Sequence, residues 1–218
     1  MTSSAATPSD QVVRFYFSFR SPYSWLAMHR AQAAFEGSGL SLEYIPVFPP
    51  PNYPNDPAAV PAKLKYIQED TARIANAYGL VALPVAALDC AWVRPHAAFL
   101  YALDRGQGAS FAKAVFGARF SEAKDVGQDA VIAECATRAG LDAAETVAAQ
   151  DATPLQERVV LGMIRGVQED DLFGVPLFCF GGERFWGNDR IEWLLRRVAE
   201  QRGQRVPDLV TKALSPIL

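Results

Sequence analysis

The chain has 218 residues, of which 50% are hydrophobic and 21% are charged, and it carries a formal net charge of −3. This composition is typical of a globular protein with a sizeable core, and it excludes collagen-like, low-complexity and disordered chains. Lys and Arg are scattered along the chain, so the sequence predicts neither a nucleic-acid partner nor a membrane partner, and no apolar run reaches the roughly 20 residues that span a membrane.

Cysteine usage points to a reducing compartment. Cys90, Cys135 and Cys179 lie far apart in the sequence. They form neither a disulfide framework nor the CxxC pattern of redox and zinc sites, so reduced thiols and no metal site are expected. Residues 1–11 lack the basic and apolar regions of a signal peptide and are expected to form a flexible N-terminal arm. These features together predict a cytoplasmic protein.

The chain opens with a predicted β-α-β unit. Residues Val12 to Phe19 are almost all β-branched or aromatic, which is typical of a central strand buried on both faces. A helix is predicted from Pro22 to Glu36, because apolar residues recur there at helical spacing, and a second strand is predicted from Ser41 to Phe48. A strand, a helix and a strand in this order form a parallel pair with a crossover helix.

The middle of the chain is predicted to be all helical. Apolar residues follow one face of an amphipathic helix over residues 64–78. From Pro95 to about Arg165, Ala-rich helical segments are separated by glycine-containing joints. Thr153-Pro154 is predicted to be the N-cap and first-turn pair of a helix that runs toward Asp170.

Strand character returns near the end of the chain. Pro176 to Phe180 and Arg184 to Trp186 flank Gly181-Gly182, which is typical of a two-residue β-hairpin turn. Asn188-Asp189, followed by Glu192, predicts a capped N-terminus for a final amphipathic helix. The predicted architecture is therefore an α/β unit that is split by a helical insertion.

The segment Ser21-Pro22-Tyr23-Ser24 lies where the first strand meets the first helix. Ser21 is suited to cap this helix, with Pro22 in its first turn. The unpaired N–H groups and the positive end of the helix dipole favour an anion beside the serine hydroxyl, including a thiolate. Thioredoxin-like proteins have their reactive cysteine at this place. Serines at positions 21 and 24 therefore argue against a thiol-disulfide oxidoreductase, and a plain helix cap is the alternative interpretation of Ser21.

A second candidate segment is Gly174-Val175-Pro176, which leads into a strand. Proline at a strand start gives up an N–H where pairing has not yet begun, and a cis Val175-Pro176 bond is plausible. Such a turn exposes the N–H and C=O groups of the residue before proline. Those groups are suited to pair with a peptide-like ligand, of which glutathione is an example.

Three groups of residues occur in order around the helical insertion. They are Phe15-Tyr16-Phe17 with Ser21-Pro22-Tyr23-Ser24-Trp25, Val60-Pro61-Ala62-Lys63 with Tyr66, Asp70, Arg73 and Tyr78-Gly79, and Phe173-Gly174-Val175-Pro176 through Gly181-Gly182, Phe185-Trp186-Gly187 and Asp189-Arg190. Together they resemble the 2-hydroxychromene-2-carboxylate isomerases and the kappa-class glutathione transferases over most of the chain. The resemblance implies an α/β, thioredoxin-like fold of the DsbA type. Its thioredoxin-like domain is expected in residues 12–57 and 171–218, with an all-helical insertion domain in residues 58–170.

The resemblance also implies a glutathione site. Ser21 matches the catalytic serine of the family, whose hydroxyl would hydrogen-bond the glutathione sulfur, and Tyr23 belongs to the same motif. Val175 matches the residue whose backbone holds the cysteinyl part. Asn188 and Asp189 match the pair that receives the γ-glutamyl end, with the carboxylate of Asp189 facing its ammonium group. Asp189 as a simple N-cap is the alternative interpretation.

Two further positions are implied on the helical side of the site. Lys63 matches a family lysine, although a solvated helix face is the alternative interpretation. Asn55 matches a family asparagine if one residue is deleted here, and Asn52 is the fallback. The loop Pro49 to Pro54 differs from the loop that faces the phenyl ring in the characterised isomerases. This difference affects the expected substrate more than the expected glutathione.

The resemblance implies a cytoplasmic, homodimeric enzyme that uses glutathione as a cofactor to isomerise a small aromatic chromene or benzylidenepyruvate-like acid. A kappa-class transferase or peroxidase and a non-catalytic glutathione-binding protein are the alternatives. His29 and His96 are predicted to be structural, because neither has a triad-like set of neighbours in the sequence. Cys179 is predicted to be a small buried hydrophobe.

Overall fold

A four-stranded mixed sheet runs through the computed structural model, which describes residues 11–48, 56, 59–87 and 89–205. The strands are β1 (Val12–Phe17), β2 (Ser41–Pro46), β3 (Leu177–Phe180) and β4 (Glu183–Trp186). Their order across the sheet is β2-β1-β3-β4. β1 is parallel to β2, while β3 is antiparallel to β1 and to β4. The predicted β-α-β opening and the closing hairpin are confirmed.

Eight α-helices accompany the sheet in the described ranges. They are α1 (Pro22–Phe35), α2 (Pro61–Ala77), α3 (Val93–Asp104), α4 (Gly108–Phe120), α5 (Asp129–Arg138), α6 (Ala143–Ala149), α7 (Thr153–Asp170) and α8 (Ile191–Gln201). The six helices α2–α7 follow β2 and precede β3, and this part of the chain contributes no strand in the residues described. None of the described helices has the length and apolar character needed to cross a membrane.

β1 is buried on both of its faces. Successive side chains of a strand point to opposite faces, so Phe15 and Phe17 lie on one side of the sheet and Tyr16 on the other. All three are 0% exposed. Phe15 stacks on Phe178 of β3, with ring centroids 4.4 Å apart. The predicted central strand is therefore confirmed.

Several predicted element ends are wrong by one or two residues. β2 ends at Pro46 rather than at Phe48, and α1 ends at Phe35 rather than at Glu36. β1 ends at Phe17 rather than at Phe19. The reason is a turn in which the Ser21 N–H donates to the Ser18 carbonyl at 3.0 Å and draws the chain away from the sheet. Thr153 is the first helical residue of α7, and the N-cap position belongs to Ala152.

Helices cover both faces of the sheet. The face that carries Phe15 packs against α1, α8 and several helices of the all-helical segment. The opposite face, which carries Tyr16, packs against α7. Gly162 and Gly166 permit this close approach, because a Cβ atom would lie 3.0 Å from Ile45 Cγ2 at the first position and 2.8 Å from Tyr16 Cε1 at the second.

Candidate active site

Three loops meet at one edge of the sheet. β1 ends where β3 begins, because Tyr16 pairs with Leu177. β4 ends at the same edge, because the Gly187 N–H donates to the Pro176 carbonyl at 3.0 Å. The loops that follow β1, precede β3 and follow β4 are thus brought together. They carry the predicted site residues Ser21, Val175, Asn188 and Asp189.

Ser21 is the N-cap of α1, as predicted. Its Oγ accepts a hydrogen bond from the Ser24 N–H at 3.1 Å, and Pro22 is in the first turn. This cap uses a lone pair of the hydroxyl oxygen and leaves its O–H free to donate. Among the first-turn residues that the structure describes, Tyr23 keeps a backbone N–H with no partner. The cap is therefore compatible with stabilisation of an anion at the same hydroxyl.

The hydroxyl of Tyr23 is occupied within the protein. It donates to Asp70 Oδ2 of α2 at 2.9 Å, and burial followed by this hydrogen bond raises the pKa of Tyr23. Lys63 lies seven residues before Asp70 on α2, which is two turns along the same face, or about 10 Å at 1.5 Å per residue. Its side chain is exposed. α2 therefore presents Lys63 on the face that contacts α1.

Val175 offers unpaired backbone groups. The Val175-Pro176 peptide bond is cis, as the sequence suggests. Val175 is half-buried, and its N–H and C=O groups make no backbone hydrogen bond within the described part of the chain. These groups stand next to a strand start, so they are available to an extended ligand.

Asn188 and Asp189 lie in a short 3-10 turn, Asn188–Arg190, directly before α8. Asn188 is buried, and its Nδ2 donates to the Tyr78 hydroxyl at 3.5 Å. Asp189 is exposed, and its carboxylate pairs with Arg190 at 2.9 Å. The predicted capped N-terminus is wrong, because neither the 3-10 turn nor α8 has a side-chain cap.

Glu192 pairs with the buried Arg30 of α1 instead of completing a capping box. Arg30 Nη1 also donates to the Asn188 carbonyl at 2.8 Å. The arginine thereby fastens the turn that carries Asn188 and Asp189 to the helix that begins beside Ser21. The sequence contains a signal for this role that the sequence analysis missed, since Arg30 lies on a helix face between the apolar residues Ala27 and Ala34.

Another ion pair braces the turn before Ser21. The Arg20 guanidinium contacts both carboxylate oxygens of Asp56, at 2.9 and 2.8 Å. This pair joins residues that are 36 positions apart and was not predicted. Asn55 and its fallback Asn52 lie outside the described residues, as does the loop from Pro49 to Pro54.

His96 is a structural residue in this geometry. Its Nε2 accepts from the Phe19 N–H at 3.0 Å, and its Nδ1 lies 2.6 Å from the Trp92 carbonyl, to which it donates. Burial lowers the pKa of His96 to about 3, so the ring is neutral at physiological pH. The histidine joins α3 to the turn before Ser21. The pKa of His29 is lowered as well, mainly by burial.

No cysteine stands at the candidate site. Burial raises the pKa of Cys90, Cys135 and Cys179 to about 12 in each case, so all three are thiols at neutral pH. Cys179 is 2% exposed and lies in the core, as predicted. The described residues include no cluster of His, Cys, Asp or Glu that could hold a metal ion.

The fold and the site define the class of protein. A sheet of this topology, a helical insertion, a helix that begins at the candidate site and a cis-proline opposite it are features of DsbA-like thioredoxin domains. Residues 12–199 match the family model described as "DSBA-like thioredoxin domain", and the chain belongs to this family.

Particular relatives narrow the comparison. The chain is 28% identical over 192 residues to a 2-hydroxychromene-2-carboxylate isomerase of Sphingobium xenophagum, covering 84% of this chain and 96% of that protein. A solved structure of a 2-hydroxychromene-2-carboxylate isomerase superposes with a TM-score of 0.78 at 26% identity, covering 88% and 98% of the two chains. A probable DsbA oxidoreductase from Streptomyces coelicolor has a TM-score of 0.72 at 20% identity, covering 89% and 91%, which shows the shared fold.

Proposed function

We propose that the chain is a glutathione-dependent isomerase that acts on an aromatic unsaturated acid of the chromene or benzylidenepyruvate type. The observation that carries this proposal is Ser21, which stands where thiol oxidoreductases of this fold have cysteine. Its hydroxyl oxygen caps α1, and its O–H donates to no acceptor in the described part of the chain. The similarity to proteins named 2-hydroxychromene-2-carboxylate isomerase supports the reaction class.

The residues at the sheet edge fit glutathione. Val175 has backbone groups that no described residue uses and that could pair with the cysteinyl part, and the exposed carboxylate of Asp189 suits the α-ammonium group. Lys63 is available for an anionic group, because no described carboxylate pairs with it. When bound, glutathione would supply a thiolate that adds reversibly to a conjugated double bond, permits rotation about the resulting single bond and leaves again.

The protein's own contribution is electrostatic. The Ser21 hydroxyl would donate to the sulfur, and a charge-assisted hydrogen bond of this kind favours the thiolate over the thiol. The N–H of Tyr23 and the helix dipole act in the same direction. The Tyr23 hydroxyl plays no part in this, since it donates to Asp70. Glutathione would be regenerated in every cycle.

The first test is calorimetric titration of the purified protein with reduced glutathione. A dissociation constant between micromolar and low millimolar is expected. Absence of heat at about 10 mM glutathione, with the chain folded, would reject both glutathione-dependent interpretations, since 10 mM corresponds to a binding free energy of only about 3 kcal/mol.

Two substitutions separate catalysis from capping at position 21. Glycine is nearly as good an N-cap as serine but has no hydroxyl, so Ser21→Gly should lower turnover of a benzylidenepyruvate by about tenfold or more while the fold is kept. Ser21→Thr keeps both the cap and the hydroxyl and should retain most of the turnover. Equal turnover in all three proteins would reduce Ser21 to a helix cap.

A thiol count distinguishes the remaining alternatives. An isomerase leaves the glutathione concentration constant while the product accumulates, whereas a kappa-class transferase or peroxidase consumes glutathione in step with the product. Binding without turnover of any electrophile would favour a non-catalytic glutathione-binding protein. The cytoplasmic location and the homodimer stay predictions, and sedimentation of the purified chain tests the second.

A further inference from the structure

An arginine of the helical segment is buried and forms no ion pair with any residue that the structure describes. Arg119, the second-last residue of α4, is 2% exposed. Within the described ranges, no carboxylate lies within ion-pair distance of its guanidinium, and its Nε is buried without an acceptor. Burial of a charge without a partner is strongly unfavourable. Within the described ranges, the Arg119 guanidinium therefore has neither a close ion pair nor a hydrogen-bonded acceptor.

Two carboxylates in the vicinity, Asp89 and Asp125, raise the pKa of Arg119 through their charge, but each accepts its hydrogen bonds from other groups. Asp89 accepts from Trp92 Nε1 at 2.5 Å and from the Cys90 N–H at 3.0 Å. Asp125 accepts from the Gly127 N–H at 2.9 Å. Burial is the largest influence on the pKa of Arg119 and lowers it to about 10, so the side chain remains a cation at neutral pH.

Aromatic rings frame this cation and connect it to the candidate active site. The Arg119 Cζ lies 4.7 Å from the ring centroid of Trp92 and 5.3 Å from that of Phe120. Phe120 stacks on Trp25, with centroids 5.3 Å apart. Trp25 belongs to α1 and lies one turn after Ser21, its N–H donating to the Ser21 carbonyl at 3.2 Å. The charge of Arg20 also lowers the pKa of Arg119, so the two guanidinium groups are close enough to interact.

We propose that Arg119 binds the carboxylate of the aromatic acid, while the rings of Trp92 and Phe120 flank its unsaturated part. A guanidinium is planar and offers paired N–H donors that match a carboxylate, and aromatic side chains suit a flat apolar ligand. The acid would bring a carboxylate within hydrogen-bond distance of the guanidinium, which none of the described residues does. The inference rests on the proposed function only for the identity of the aromatic acid, because the lack of an ion pair at Arg119 is observed directly within the described ranges.

The test compares an acid with its neutral isostere. The probes are trans-cinnamate and trans-cinnamamide, titrated calorimetrically into the protein with and without saturating reduced glutathione. The wild-type protein is expected to prefer the acid by about tenfold or more, as a charge-assisted hydrogen bond in a buried site predicts. Arg119→Met should remove this preference and leave the affinity for cinnamamide nearly unchanged.

Two further variants keep the experiment decisive. Arg105→Met removes another arginine that lies over an aromatic ring, 3.4 Å from the centroid of Tyr101, and should keep the preference for the acid. If Arg119→Met does not fold, Arg119→Lys takes its place. A lysine keeps the charge but not the planar fork, so a weaker preference for the acid is expected. A preference as strong as in the wild-type protein would overturn the guanidinium's role.

The other possible results of the titrations either overturn the inference or separate it from the proposed function. No preference in the wild-type protein, or an unchanged preference in Arg119→Met, would overturn the inference. A loss of glutathione affinity in Arg119→Met with unchanged cinnamate binding would also overturn it, because the bound carboxylate would then belong to glutathione. If cinnamate binding depends on Arg119 but glutathione does not bind at all, the inference stands and the proposed function fails.

Discussion

Two arginines on packed helices are buried to a similar degree, and their surroundings differ. Arg30 on α1 is 4% exposed, and Arg119 on α4 is 2% exposed. Arg30 has a carboxylate and a backbone carbonyl as partners, from Glu192 and Asn188. Arg119 has aromatic faces and, among the described residues, no hydrogen-bond acceptor.

The difference in partners assigns different roles to the two arginines: Arg30 supports the scaffold, and Arg119 is the proposed ligand-binding residue. Where Glu192 neutralises the charge, the arginine fixes the turn that carries Asn188 and Asp189 against α1. Arg30 Nε and Glu192 Oε2 are buried without hydrogen-bond partners, so the difference between the two sites is the ion pair. Where the described residues supply no ion pair, as at Arg119, a ligand carboxylate gains by forming one. Arg30 contacts the turn that carries Asn188 and Asp189, whereas Arg119 belongs to the helical segment.

The most severe test of this comparison is the stability of two matched variants. Arg30→Met leaves Glu192 without its partner and should lower the free energy of unfolding by about 3 kcal/mol. Arg119→Met removes a buried charge that has no ion pair among the described residues, and it should change the free energy of unfolding by less than about 1 kcal/mol, or raise it. Urea unfolding of both proteins measures the two effects. Adding Glu192→Gln to Arg30→Met should recover part of the loss. Equal losses in the two single variants would erase the distinction.

The pH dependence of the free energy of unfolding tests the contact between α3, which carries His96, and the turn before Ser21. His96 holds Trp92, which flanks Arg119, against the turn before Ser21. Its pKa is about 3 in the folded chain and about 6.5 when unfolded. Between these values only the unfolded state binds the proton, so the free energy of unfolding falls with falling pH, by about 1.4 kcal/mol per unit. Above pH 6.5 the contribution of His96 is complete.

Replacement of His96 should flatten this dependence. Urea unfolding of His96→Gln between pH 7.5 and pH 5 is expected to lack the slope that His96 contributes, at the expense of lower stability at pH 7.5. His29→Gln is the matched control, because the pKa of His29 is lowered less, and a smaller change in slope is expected. A His96→Gln protein with the wild-type slope would show that other groups carry the acid sensitivity.

The sequence predicts the elements of this fold better than their ends. The apolar run of β1 and the hairpin glycines follow from local chemistry, and Gly181 and Gly182 adopt φ angles of +57° and +79° that favour glycine. The end of β1 is set by the hydrogen bond from the Ser21 N–H to the Ser18 carbonyl, which turns the chain away from the sheet. The spacing of apolar residues does not reveal this bond. The N-cap of α7 is Ala152 rather than the predicted Thr153. The proline lies in the first turn with either residue as the cap, so it does not distinguish between them.

The sequence predicts the site residues whose contacts are local in the chain, but it does not predict those whose contacts are long-range. Ser21 is recognisable because its cap is built from neighbouring residues. Glu192 resembles a capping residue, yet it pairs with Arg30, 162 positions away. The packing of α1 against α8 decides which partner Glu192 finds. The sequence around Glu192 would be the same for a capping residue and for an ion-pair partner. The sequence around Arg119 does not predict its role, because that role depends on burial and on tertiary contacts with aromatic rings.

A smaller effect is expected on the α2 side of the site. Tyr23→Phe removes the hydrogen bond to Asp70 and should lower the free energy of unfolding by about 1 kcal/mol, while glutathione affinity changes by no more than about twofold. The reason is that the hydroxyl already donates within the protein. Tyr66→Phe, at an exposed tyrosine of α2, is the control for stability. A large loss of glutathione affinity in Tyr23→Phe would assign the hydroxyl to the ligand.

The smallest effect on stability is expected at Asp189, where the consequence for binding is larger. Its ion pair with Arg190 is exposed on both sides, so Asp189→Asn should change the free energy of unfolding by less than about 0.5 kcal/mol. Glutathione affinity should fall by about tenfold, because the α-ammonium group loses its carboxylate. A glutathione analogue without the α-amino group should bind both proteins equally. Asp171→Asn, at another exposed carboxylate paired with an arginine, should leave glutathione affinity unchanged. If Asp189→Asn still distinguished glutathione from that analogue, the ammonium group would lie elsewhere, and the turn held by Arg30 would be scaffold alone.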